Sequence, residues 1–225
     1  MKNIFARKGL RDSENGDEKF TVLFQGDSIT DCGRSREDDA KLGNGYPAKI
    51  AGIWEILFPG HSVRFINRGI SGNRSKDLLE RYEKDFLALE PDVISLLIGV
   101  NDTWRRYDSN DPTSTEQFEK NVDTLLGNLR RDLPETSIIL IEPFLLGTIP
   151  ERKIFREDLD PKIHAIRSLA MEYADVFIPM DGIFARYAVE GFKEADMSAD
   201  GVHPTSVGHG IIAAEWLRGL SVFCG

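Results

Sequence analysis

Apolar residues in this chain fall in short runs that alternate with longer amphipathic stretches. Val22-Leu23-Phe24, inside the stretch Thr21 to Cys32, is cut off abruptly by Gly26-Asp27-Ser28. A brief β-branched or aromatic run stopped by turn residues predicts a buried strand. Tyr46 to Phe58 carries Ile50, Ile53, Trp54 and Leu57 at helical spacing and is closed by Pro59-Gly60. Val63 to Ile66 alternates as a short strand and runs into Asn67-Arg68-Gly69-Ile70-Ser71-Gly72. Ser75 to Leu89 reads as one helix with Ser75 as its N-cap. Asp92 to Val100 is the most continuously apolar segment, as suits the centre of a parallel sheet, and ends at Asn101-Asp102.

The second half repeats the alternation. A loop is predicted over Thr103 to Thr113, a helix from about Ser114 to Asp132 and a strand over Ser137 to Ile141. A turn-rich stretch leads to a helix over Phe155 to Tyr173. A short strand, Val176 to Ile178, and helices over Ile183 to Val189 and Pro204 to Leu220 complete the chain. Strands alternating with helices, with no linker between them, predict a three-layer α/β/α sandwich on a five-stranded parallel sheet. One domain over 20–225 is expected, preceded by a polar arm over 1–19.

Composition narrows the partners. The 225 residues carry a net charge of −9 with 29% charged residues, which argues against a nucleic-acid surface. No run approaches a membrane span, and Lys2, Arg7, Lys8 and Arg11 interrupt any signal-like apolar core. Cys32 and Cys224 lack metal-ligand spacing, so a cytoplasmic protein with reduced thiols is expected. His61, His164 and His209 have no second ligand at metal spacing, so no metal and no cofactor is expected. Asp31, Asp38 and Asp39 read as a solvated acidic loop rather than a cation site. The sequence leaves self-association open.

The chemistry sits at the ends of the predicted strands, where open α/β sheets bind ligands. Ser28 stands at the first exit. Asp200-Gly201-Val202-His203-Pro204 precedes the last helix, which Pro204 is expected to open. An Asp three residues before a His can accept the imidazole Nδ1–H and leave Nε2 as a base for a serine hydroxyl. A lone Gly-Asp-Ser is most often only a turn, and a lone Asp-x-x-His only a helix cap. Their co-occurrence in one α/β chain, with small or amide residues at two intervening exits, favours catalysis.

Four ordered blocks carry a resemblance to the SGNH (GDSL-type) hydrolases: Gly26-Asp27-Ser28-Ile29-Thr30, Gly72, Gly99-Val100-Asn101-Asp102 and Asp200-Gly201-Val202-His203-Pro204. The resemblance implies Ser28 as nucleophile, His203 as base and Asp200 as its orienting acid. It also implies an oxyanion hole from the Ser28 and Gly72 N–H groups and the Asn101 amide. The contexts Asp27-Ser28-Ile29-Thr30-Asp31-Cys32-Gly33-Arg34 and Asn101-Asp102-Thr103-Trp104-Arg105-Arg106-Tyr107-Asp108 are similar to intracellular bacterial acetylxylan esterases. That implies a short-chain, acetyl-removing esterase acting on O-acetylated xylo-oligosaccharides. Met197-Ser198-Ala199 departs from that branch, which carries an aromatic there.

Asp27, Trp104, Arg105 and Tyr107 are candidate substrate contacts. The alternative for Asp27 is capping of nearby backbone N–H groups, and for Trp104 it is packing. A lysophospholipase- or thioesterase-type acylhydrolase, needing a long apolar channel, is the competing enzyme reading. A flavodoxin-like phosphoacceptor domain would use Asp27 and Asp102, but the fifth strand exit, Ile178-Pro179-Met180-Asp181, lacks the Lys it needs.

Overall fold

The computed structural model describes residues 20–59 and 63–220, so the expected arm over 1–19, His61 and Cys224 lie outside the described residues. The elements run β1 (Phe20–Gly26), α1 (Ser28–Asp31), α2 (Tyr46–Leu57), β2 (Val63–Asn67), α3 (Ser75–Glu80), α4 (Tyr82–Asp85), β3 (Val93–Leu97) and α5 (Val100–Asp108). They continue with α6 (Thr115–Asp132), β4 (Ser137–Ile141), α7 (Arg156–Tyr173), β5 (Val176–Ile178), α8 (Met180–Val189), α9 (Glu194–Met197) and α10 (Ser206–Gly219). Two 3-10 segments, Leu87–Leu89 and Pro150–Phe155, join them. The five strands form one parallel sheet in the order β2-β1-β3-β4-β5, as the alternation predicts.

Because successive strand residues point to opposite faces, the sheet divides the core in two. Val22, Phe24, Val93, Leu97, Ile139 and Ile141 pack with Ile50 and Trp54 of α2 and Ile212 and Trp216 of α10. Leu23, Ile94, Leu96, Ile138 and Leu140 pack with Phe118, Val122, Leu125 and Leu129 of α6 and Ile166 and Leu169 of α7. Ser95, in the middle of β3, is fully buried and accepts a 3.0 Å hydrogen bond from Trp216 Nε1, so neither polar group is orphaned. No helix among the described residues is long and apolar enough to cross a membrane.

Several boundaries differ from the expectation, and three of the differences bear on the site. The helix expected over Ser75 to Leu89 breaks at Arg81, whose guanidinium turns inward to Gln25 Oε1 (2.8 Å), the Arg68 carbonyl (3.0 Å) and Asp85 Oδ2 (3.0 Å). Gln25 Nε2 in turn donates to the Asp85 carbonyl at 2.6 Å. Ser75 is the first helical residue rather than the N-cap, which is Arg74. The loop expected from Thr103 is the helix α5: β3 stops at Leu97, Gly99 turns the chain at φ +130°, and Asn101 and Asp102 lie in the first helical turn. A carboxylate there suits the positive end of a helix. Pro204 does not open α10. It bridges to Ser198 in an antiparallel pair, and Thr205 caps the helix by accepting from Gly208 N at 3.3 Å.

The end of β1 has no tolerance for a side chain. At Gly26 φ is +156°, and a Cβ would stand 2.3 Å from the Leu97 carbonyl oxygen and 2.5 Å from Thr30 Oγ1. Gly26→Ala should therefore lower the unfolding free energy by roughly 2 kcal/mol or more, since a backbone carbonyl in the sheet must move to admit it. Urea denaturation measures this, and a variant within ~0.5 kcal/mol of the parent would show that the β1–β3 seam yields easily.

Candidate active site

The turn after β1 presents Ser28. Asp27 caps α1, its Oδ1 accepting from Ile29 N at 2.9 Å, and Cys32 closes that one-turn helix in the left-handed region at φ +36°. Ser28 is left half-buried with its Oγ 2.9 Å from His203 Nε2.

His203 comes from the loop between α9 and α10. Its Nδ1 lies 2.8 Å from Asp200 Oδ2. A carboxylate can only accept, so Nδ1 carries the proton and Nε2 faces Ser28 as the acceptor. The other carboxylate oxygen is fixed by the loop's own backbone, accepting from Val202 N (2.9 Å) and His203 N (2.7 Å). Ser198 Oγ donates to the His203 carbonyl at 2.8 Å, and Leu146 N donates to the Gly201 carbonyl at 2.8 Å, tying this loop to the end of β4. Partial burial alone would raise the Asp200 pKa, but the bonds from the His203 ring and from the His203 and Val202 N–H groups hold it well below the usual carboxylate range. The bond to Asp200 raises the His203 pKa, and desolvation opposes it. The arrangement can pass a proton from Ser28 Oγ to an imidazole whose resulting charge is already partnered.

Two of the expected oxyanion donors come from Gly72 and Asn101. Gly72 is exposed, with φ +84° and nothing within 4 Å of a would-be Cβ, so an approaching group meets bare backbone. Asn101 is buried to 4% exposure and gives one amide N–H to the Asn73 carbonyl at 3.1 Å. Its NH2 group carries a second donor beyond that bond. Asp102 anchors the same helical turn, accepting from Ser75 N (3.0 Å) and Ser75 Oγ (2.6 Å), although burial pushes its pKa up to about 6.

Sequence reasoning missed how the Gly72 loop is held. Asp31 is buried and its Oδ2 accepts from Ser71 N (3.0 Å), Ser71 Oγ (2.9 Å) and Arg36 Nη2 (2.5 Å), so the reading of Asp31 as part of a solvated acidic loop is corrected. Arg34 Nε and Arg36 Nη1 both donate to the Gly69 carbonyl, at 2.7 and 2.9 Å. Asp39 pairs with Arg68 and Asp38 with Lys41. Among the described residues no cluster of His, Cys, Asp or Glu could hold a metal. The available signal was Arg34 and Arg36 close in sequence to Asp31, in a loop whose one large apolar residue is Leu42.

The four candidate substrate contacts separate. Asp27 is fully buried, so it cannot touch a substrate here and serves as the cap. Its Oδ2 has no hydrogen-bond partner, and burial pushes its pKa up to about 7. Trp104 stands beside the site, its ring 5.7 Å from that of His203, with Arg152 stacked 4.5 Å above it. Arg105 bonds to Asp108 and approaches Asn101 Oδ1 at 3.4 Å. Tyr107 is turned to other work: its ring stacks on Phe155 at 4.4 Å and its hydroxyl donates to the Ile154 carbonyl. A cavity of about 260 Å³, lined by Leu145, Leu146, Gly147, Lys153, Arg156 and Glu194, lies behind the Asp200 loop and includes none of these groups. His209 is a core residue, accepting from Tyr46 N at Nδ1 (3.2 Å) with its pKa driven down to about 4 by burial.

Known proteins resemble this chain in sequence and in fold. Residues 24–211 match the model of the GDSL-like lipase/acylhydrolase family. An acetylxylan esterase of Geobacillus stearothermophilus is 35% identical over 206 residues, covering 88% of this chain and 92% of the relative. The crystal structure of that organism's acetylxylan esterase Axe2 superposes with a TM-score of 0.80 at 32% identity, over 89% of this chain and 93% of that one. A protein described as a GDSL-like lipase from Parabacteroides merdae superposes with a TM-score of 0.85 at 36% identity, over 91% and 97% of the two chains.

The buried cap makes a stability prediction. The Asp27 pKa stands at about 7 in the folded protein against ~3.9 unfolded, so the folded state binds the proton more tightly. The stability this contributes is fully present below pH ~4 and is lost as pH rises through about 7. Asp27→Asn does not titrate. Its stability relative to the parent should therefore improve steadily between pH ~4 and ~7 and level off above. Denaturant midpoints across that window measure it, and a constant difference would place the Asp27 carboxylate in contact with water.

Proposed function

The chain belongs to the GDSL-like lipase/acylhydrolase family and is a carboxylic ester hydrolase; on that premise we propose that it removes acetyl groups from O-acetylated carbohydrates such as xylo-oligosaccharides, with Ser28 as the nucleophile. The observation that carries the reading is the unbroken line Ser28 Oγ–His203 Nε2 (2.9 Å) and His203 Nδ1–Asp200 Oδ2 (2.8 Å).

In this reading Ser28 Oγ attacks the ester carbonyl while His203 Nε2 takes its proton. The new C–O bond converts the carbonyl oxygen to an oxyanion, met by the Ser28 and Gly72 N–H groups and the free amide N–H of Asn101. These donors are fixed before the charge appears, so little reorganisation is needed when it does. The imidazolium, stabilised by Asp200, protonates the departing sugar oxygen as the acyl–O bond breaks, leaving acyl-Ser28. Water then repeats the sequence with His203 again as base, releasing acetate and restoring Ser28. The acetyl preference rests on the similarity to the Geobacillus esterase over nearly the whole chain.

Ser28→Ala and His203→Ala should each lower kcat by several orders of magnitude with the fold intact, because the two groups act as one unit. Activity against acetylated xylo-oligosaccharides beside a chain-length series of p-nitrophenyl esters tests the substrate. Turnover that rises with acyl length would replace the acetyl reading by a lipid one. Asn101→Ala should cost about 10²–10³ in kcat with a smaller change in KM, since its bond to the oxyanion forms fully only in the transition state. Near-normal kcat would assign the hole to other donors.

A further inference from the structure

Arg152 lies in the 3-10 segment Pro150–Phe155, which no motif singles out. Its guanidinium rests 4.5 Å over the Trp104 ring, donates to the Asp200 carbonyl at 2.5 Å and stands 3.2 Å from Asp200 Oδ2. The same Oδ2 holds His203 Nδ1 at 2.8 Å. One carboxylate oxygen therefore serves two donors, one permanently charged and one that becomes charged during turnover. Asp200 does not depend on Arg152 for its direction, because the Val202 and His203 N–H groups already fix Oδ1. What the guanidinium changes is the charge that His203 meets.

We propose that Arg152, braced on Trp104, is a positioning residue that divides the Asp200 carboxylate between itself and His203 and so sets the lowest pH at which the Ser28–His203 pair works. The inference rests on the proposed roles of Ser28, His203 and Asp200. The charged or titratable groups facing His203 are Asp200 on its own loop, Asp27 beneath Ser28, Arg152 from the 3-10 segment and His209 on α10. Asp200 and Asp27 favour the imidazolium, whereas Arg152 and partial burial disfavour it. His209, pushed down to about 4, is neutral in the working range. Arg152 is thus the one permanent cation among these groups, opposing the Asp200 carboxylate and, once Asp27 ionises at pH about 7, a second one. Without it the imidazole would hold its proton to higher pH, and a protonated imidazole cannot accept the Ser28 proton.

The test is kcat/KM against pH on p-nitrophenyl acetate for the parent, Arg152→Gln, Arg152→Lys and His203→Ala, with NMR titration of the His203 ring in the first three. Arg152→Gln should move both the acid limb and the ring titration to higher pH by a few tenths to about one unit, with the alkaline plateau within about threefold of the parent. Arg152→Lys, which keeps a charge, should stay nearer the parent, and 0.5 M salt should shrink the displacement. A limb that coincides with the parent's, or a lowered plateau with an unmoved limb, would overturn the proposal. If Arg152→Gln fails to fold, Trp104→Leu, which removes the brace, should displace the limb in the same direction, and an unmoved limb there would overturn it too. Parental turnover by His203→Ala would remove the triad and this inference together, whereas an inactive His203→Ala with an unmoved Arg152→Gln limb would remove the inference alone.

Discussion

The reacting end of this protein depends on the abrupt stop of β1. Between two hydrogen-bonded neighbours, β2 and β3, the strand runs out at a residue whose would-be Cβ has a carbonyl oxygen 2.3 Å away. The chain cannot continue straight, and the single helical turn that follows is too short to be held by its own hydrogen bonds. Asp27 supplies what is missing by accepting from Ile29 N. That carboxyl group is fully buried, with one oxygen unpartnered, and desolvation raises its pKa. An exposed cap would be more comfortable, but it would not leave Ser28 alone at the mouth of the sheet.

The loops around this point bury Val202 and Leu42, and polar and charged contacts hold the rest of their backbone. Asp31 gathers Ser71 and Arg36, Arg34 and Arg36 converge on the Gly69 carbonyl, and Arg152 reaches the Asp200 carbonyl. Each contact pins the backbone of a loop that carries a proposed catalytic group. The Gly72 loop gains most from this, since glycine leaves its own conformation poorly determined. Its N–H can act as a preorganised donor only because the neighbouring residues Gly69 and Ser71 are strapped from the far side of the Ser28 turn.

Much of this was legible in the sequence, and what escaped shares a cause. The strands Ser137–Ile141 and Val176–Ile178 fall where their apolar runs place them, because burial on both faces of a parallel sheet imposes that pattern. Ser28, His203 and Asp200 meet as the blocks imply. The misplacements at Arg81 and Pro204 occur where a side chain or a bridge captures a backbone group from a distant element, and just after Val100 the Asp102 carboxylate takes the Ser75 N–H. Periodicity carries no trace of such long-range polar contacts. Asp31 was misread because a carboxylate in a polar loop looks solvated until its partners are known, whereas Asp27 takes the capping role that was one of its two readings. Arg152 lay beyond reach altogether, since its meaning is its distance to Asp200.

Trp104 shows how these constraints bear on substrate choice. An aromatic beside a candidate catalytic histidine invites the idea of a stacking platform for a sugar. Here, however, the ring is already engaged by Arg152 over one face and by Phe155 and His203 at 6.0 and 5.7 Å. A sugar would meet the guanidinium before it met the indole. The His203 side chain is 46% exposed, and in the proposed reaction it must protonate the departing oxygen. In that reaction the alcohol half of the ester would leave across an exposed imidazole with Arg152 nearby. That surface suits a bulky, hydroxyl-rich leaving group, which gains from hydrogen bonds and loses little by staying wet. A long apolar chain would gain nothing there, because burial of its surface is what would bind it. On the proposed reaction, the covered face of Trp104 and the exposed imidazole favour leaving-group recognition by polar contacts at the rim rather than in a deep pocket.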